Sequence, residues 1–149
     1  MILDLIRMLV TSFLGTLGFA LLLHAPKKAW IPASIIGGVS YTLYIALLEL
    51  GAPQSAAMFA GALAGSLLAQ CCARRMRMIA TIFITLSIVS LVPGLGLYRC
   101  MEYLGEGRNA LGLQAGVSAM IDIMMIALGV GVGSFAFRTI MTRPWAVKG

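Results

Sequence analysis

Acidic side chains are scarce in this chain. There are five in 149 residues against eleven lysines and arginines, and charged residues of both signs reach only 11%. A soluble domain carries about 25%. With 60% apolar residues and a mean hydropathy of +0.99, the chain holds more greasy side chain than so short a sequence can bury in a core, and lipid must take the excess. Histidine occurs once, at His24, and cysteine three times, at Cys71, Cys72 and Cys100, with no CxxC pair and no spacing that suits a metal or an even-numbered disulfide framework. There is no HExxH, no paired-carboxylate box, no GxSxG and no phosphate loop; the GVGVG at Gly129–Gly133 sits inside an apolar run rather than between a strand and a helix. These absences leave no enzyme reading and call for no cofactor or metal. The net charge of +6 comes in short basic clusters without interleaved aromatics, which suits orientation against a membrane and not nucleic-acid binding.

What is present is apolar sequence in five runs, about Leu3–Leu23, Trp30–Leu48, Ser55–Cys72, Ile79–Tyr98 and Leu111–Phe137. A spanning helix needs about 17–25 such residues, so the expectation is an all-α integral membrane protein of five transmembrane helices, in one membrane domain over residues 1–149. The first residues lack a basic start and a small-residue cleavage site, so the first run reads as a retained helix. Lys27 and Lys28 fall in the first loop, Arg74, Arg75 and Arg77 in the third, and Arg138, Arg143 and Lys148 after the fifth run; the second loop holds only Glu49, and the fourth balances Arg99 and Arg108 against Glu102 and Glu106. The positive-inside rule then puts loops one and three and the C-terminus in the cytoplasm and the N-terminus outside, with Trp30 and Trp145 at the inner interface and Tyr44, Tyr98 and Tyr103 toward the outer one.

The fourth run is interrupted. Thr81, Thr85, Ser87 and Ser90 lie on its apolar background, and Pro93-Gly94 should end or kink the helix near Val92, because proline has no amide hydrogen and crowds the preceding turn. Carbonyls freed there need partners in a bundle or at a polar cavity. If the chain resumes as helix over Leu95–Leu104, its amino end points at the break and favours an anion, with Arg99 one turn on. Asp122 is the sharpest single signal. An aspartate at the centre of a spanning helix costs about 2.5–3.5 kcal/mol, so it should face a cavity, a partner helix or a cation rather than lipid, with Ser118 one turn earlier on the same side. The pathway candidates are therefore Asp122, Ser118, Thr85, Ser87, Ser90, Pro93, Gly94, Tyr98 and Arg99. The structural alternative is an aspartate that only hydrogen-bonds a neighbouring helix.

Small residues mark the faces where helices should touch: Gly15 and Gly18 in the first run, Gly37 in the second, Gly61 and Gly65 in the third, and Gly116, Gly129 and Gly133 in the fifth. The spacing by four of Ala57, Gly61, Gly65 and Ala69 permits close backbone approach.

Several stretches resemble the C-terminal membrane half of the threonine/serine exporter family: FLGTLGFALLLHAPKKA at Phe13–Ala29, IGGVSY at Ile36–Tyr41, the small-residue span Ala57–Gly65, LLAQCCARRM at Leu67–Met76, and SLVPGLGLYRCM at Ser90–Met101. The last is the most specific, with the family's leucine-valine-proline-glycine step at Leu91–Gly94 and its tyrosine-arginine pair at Tyr98 and Arg99. By size the chain is similar to the free-standing subunit of the split, two-protein exporter. The resemblance implies export of small amino acids or of a dicarboxylate such as succinate across a bacterial inner membrane, and a second membrane subunit carrying the complementary five-helix half. A homo-oligomer and a noncatalytic membrane scaffold are the readings left beside it. The chain departs from the family pattern at Leu86 and Ser90, about where members carry further prolines.

Overall fold

The computed structural model describes residues 2–141. Arg143, Trp145 and Lys148, which the charge and aromatic patterns assign to the cytoplasmic side, lie outside the described residues. Six α-helices and no strand occur among those described: α1 (Ile2–Leu22), α2 (Lys27–Glu49), α3 (Gln54–Met76), α4 (Ala80–Val89), α5 (Gly94–Gly105) and α6 (Asn109–Met141). Three of them, α2, α3 and α6, are long and apolar enough to cross a membrane, and α4 with α5 makes a fourth if the bent pair counts as one crossing. The fourth run is thus two helices set at 50° to each other.

Proline and positive-φ residues punctuate the chain. Pro26, Pro53 and Pro93 are the residues immediately before α2, α3 and α5; a fixed φ and no amide proton suit proline to the entry of a helix, where that proton has no intrahelical partner. The turns after α2 and α5 pass through Gly51 (φ 85°) and Gly107 (φ 75°), left-handed positions that glycine adopts without a Cβ clash. Helix α3 instead ends on Arg77 in the left-handed region, where its amide bonds the Arg74 carbonyl.

Helix α3 is the axis of the bundle. Its buried residues, Ala57, Met58, Gly61, Ala62, Gly65, Ser66, Ala69, Gln70 and Ala73, are mostly small, so α2, α4 and α6 can all approach it. Gly61 lies against the Ser40 carbonyl and Tyr44 of α2 and against Leu91, while Gly65 meets Ser40 and Ser87. On α6, Gly129 approaches the Phe59 carbonyl and Gly133 meets Ser66 and the Leu63 carbonyl. These contacts advance in step along both helices, so α3 and α6 run parallel. Nearer its start, α6 turns to α5: Gly112 faces Leu104, Gly116 faces Cys100 and Ala119 faces Gly96, an antiparallel register. At 33 residues α6 is about 50 Å long, enough to serve both partners in succession.

Not every small residue is a contact. Gly37 lies tight against Thr16, but a Cβ at Gly15 or Gly18 would meet nothing within 4 Å, so the expected close packing of that α1 face is not made in this chain. Helix α1 buries Thr16 and Ala20 instead, and the hydroxyl of Thr16 bonds the Ser12 carbonyl of its own helix. Ser34 and Ser40 bond carbonyls four residues back in the same way, which explains how a largely apolar interior tolerates them.

Candidate functional site

The break between α4 and α5 has a definite chemistry. Helix α4 stops at Val89, three residues before the expected point, because Pro93 cannot donate to the Val89 carbonyl and its ring crowds the turn before it. The chain then tightens: Leu91 N–H bonds the Ile88 carbonyl at 2.8 Å, and Gly94 N–H bonds the Val92 carbonyl at 2.7 Å across Pro93, whose φ −75°, ψ 60° is that of an inverse γ-turn. The Ser90 hydroxyl lies 3.0 Å from the Ser87 carbonyl and 3.2 Å from the Gly37 carbonyl of α2. Its single proton is shared between an acceptor freed by the break and the neighbouring helix. Ser12 of α1 reaches the same Gly37 oxygen at 3.4 Å.

Beneath this break lies a cavity of about 430 Å³, within the about 300–1,000 Å³ of small-molecule sites. Tyr41 and Tyr44 line it from α2, Gln54 and Met58 from α3, the segment Ser90–Pro93 from the break, Gly94, Leu95, Gly96 and Arg99 from α5, and Ala115, Ser118, Ala119 and Asp122 from α6. The first turn of α5 therefore forms part of the wall, and amides in such a turn have no intrahelical acceptor. Asp122 is 5% exposed, and its Oδ2 accepts a 2.5 Å hydrogen bond from Gln54 Nε2. Neither Asp122 nor Arg99 is in an ion pair with another described residue; the ion pair that is seen, Arg108 with Glu106 at 3.4 Å, lies on the loop before α6.

Of the residues singled out from the sequence, Asp122, Ser118, Ser90, Pro93, Gly94 and Arg99 meet in this one cavity. Three do not. Ser87 is buried between α4 and α3 and bonds the Ile84 carbonyl. Thr85 is exposed and lines a separate cleft with Leu23, His24 and Thr81. Tyr98, 63% exposed, lies outside the residues that line the cavity. Conversely, Gln54, Tyr41 and Tyr44 went unmarked as site residues. Gln54 had a signal, a carboxamide following proline at the head of an apolar run. The Tyr44 ring lies 5.9 Å from that of Tyr41, half-buried at the cavity wall.

A match to a known family covers residues 8–136, from α1 through the break and Asp122 into the second half of α6; the family is described as Threonine/Serine exporter, ThrE. The chain belongs to the threonine/serine exporter family. No curated protein and no solved structure matches it. As a threonine/serine exporter family member it is a multi-pass membrane protein of the transport type, in keeping with its apolar helices. Within this exporter the break, Arg99 and Asp122 all fall inside the matched region.

Proposed function

We propose that this chain is one subunit of a heteromeric inner-membrane secondary exporter of small amino acids or dicarboxylates, and that the cavity under the Pro93 break is its share of the translocation route. The observation that carries the proposal is Asp122: an acidic side chain about 20 Å along α6, almost wholly withdrawn from the surface yet on the wall of a cavity of mixed polar and apolar lining at an interrupted helix. A carboxylate at that depth is costly, and acidic residues kept inside spanning helices mark substrate or ion pathways. Broken helices at which half-helix ends meet the substrate are the recurrent device of secondary transporters.

In this reading α1, 21 residues long, provides a further crossing beside α2, α3, the α4–α5 pair and α6, making five. The basic clusters then set the N-terminus outside and the C-terminus in the cytoplasm. The cavity has walls from four helices and the break, and alternating access needs a second layer to close it, which a complementary membrane subunit supplies. Pro93 and Gly94 form the hinge of the route, and Ser90, Ser118 and Arg99 its polar lining.

The test is efflux of serine, threonine and succinate from proteoliposomes prepared with this chain and the second membrane subunit, and with each alone. Flux in the combined preparation supports the proposal. A verified complex that moves none of the three overturns it in favour of a membrane scaffold.

A further inference from the structure

We infer that the cleft between the α1–α2 turn and the first turns of α4 seats the headgroup of an anionic phospholipid. This surface is separate from the cavity at Asp122, and the inference goes beyond the exporter reading. The cleft has a volume of about 330 Å³ and is walled by Leu23, His24 and Pro26 on one side and by Thr81, Thr85 and Leu86 on the other. Its two threonines stand apart from the other hydroxyls. Those of Thr16, Ser34, Ser40, Thr42 and Ser87 each bond a carbonyl three or four residues back in their own helix, which satisfies a hydroxyl in apolar surroundings. The hydroxyls of Thr81 and Thr85 bond no described residue, and both residues are exposed at the cleft. Helix α4 also starts on Ile79 without a side-chain cap, so the Thr81 amide has no intrahelical acceptor. Donors that lack acceptors thus meet at one cleft. A phosphate supplies acceptor oxygens together with the negative charge that a helix start favours.

Charge selects an anionic headgroup over a zwitterionic one. Lys27 and Lys28 directly follow Pro26, and Arg74, Arg75 and Arg77 stand at the end of α3 on the way into α4; all five are exposed, and none is in an ion pair with a described residue. No aspartate or glutamate occurs between Asp4 and Glu49 or between Glu49 and Glu102, so neither segment that forms the cleft brings a carboxylate. Basic pockets at the ends of spanning helices are a recurrent setting for anionic headgroups. The depth of the cleft suits a lipid. Thr85 lies about 6 Å farther along α4 than Thr81, placed to donate to an ester carbonyl while Thr81 holds the phosphate, and Leu23 and Leu86 give the acyl chains an apolar wall.

The test is quenching of Trp30 fluorescence by brominated phospholipids, with the full chain carrying Trp145→Phe and reconstituted in phosphatidylcholine vesicles. Trp30 reports on this cleft because its indole N–H bonds the carbonyl of Ala25 at 2.7 Å, and Ala25 is part of the lining. Dibrominated phosphatidylglycerol should bind about five-fold or more tighter than dibrominated phosphatidylcholine and saturate as a single site. Thr81→Val with Thr85→Val keeps charge and side-chain shape and should cut that preference by about three-fold or more; Lys27→Gln with Lys28→Gln should cut it as well. Equal quenching by the two lipids overturns the inference. So does a preference that the lysine pair removes and the threonine pair leaves intact, which describes a diffuse basic surface and not a seat. The comparison of the two lipids decides the matter even if a threonine or lysine variant fails to fold.

Discussion

A β-carbon placed on Gly129 would lie 2.6 Å from the Phe59 carbonyl oxygen. Helices α6 and α3 meet there backbone to backbone, and the same parallel register, read toward the start of α3, brings Asp122 opposite Gln54. The glycine therefore sets the geometry of a site two turns away.

Gly129→Val should separate α3 from α6, because the obstructing atom is a carbonyl that no rotamer can move. The cost should exceed the about 1–3 kcal/mol usual for overpacking. Gly131→Ala is the control: nothing lies within 4 Å of its added carbon. Thermal unfolding in detergent should show a clear drop for the first and no loss for the second; equal behaviour would mean that the two helices do not touch as described.

Pro93→Ala restores an amide donor for the Val89 carbonyl and should let α4 run on into α5. With spin labels at Thr81 and Met101, both exposed, in a cysteine-free background, the distance should lengthen toward the about 30 Å of a straight helix over 20 residues. Should it stay put, the 50° bend is held by packing against α2 and α6 instead of by the proline.

Ser90→Ala removes the donor shared by the Gly37 and Ser87 carbonyls while leaving the Gln54–Asp122 pair in place. The expected loss is about 0.5–1.5 kcal/mol of stability. Efflux by the reconstituted complex should fall less than in Asp122→Asn. A larger efflux defect than that of Asp122→Asn would make Ser90 itself a principal ligand.

Reporter fusions test the orientation. If the proposed orientation holds, with the basic loops and the C-terminus in the cytoplasm as the positive-inside rule requires, alkaline phosphatase joined at Ala52 or Gly107 should be active and a green fluorescent protein joined after Gly149 should fluoresce. The reverse pattern would invert the exporter in the membrane without altering its cavity.

Composition alone determined the membrane class, since side chains this apolar and this seldom charged have no other solvent, and the proline-glycine step announced an interrupted helix because proline's missing proton is a local, covalent fact. Motifs such as Leu91–Gly94 with Tyr98 and Arg99 were enough to suggest the family. Which hydroxyls reach the cavity was not legible: Ser87 and Ser90 are one turn apart, yet Ser87 packs against α3 while Ser90 lies on the cavity wall, a distinction set by the early end of α4. Nor could Gln54 be paired with Asp122 from a linear string. Their separation of 68 residues is closed only when the small residues of α3 let α6 lie alongside it in parallel, and register between two helices is a property of their packed surfaces and not of either sequence taken by itself.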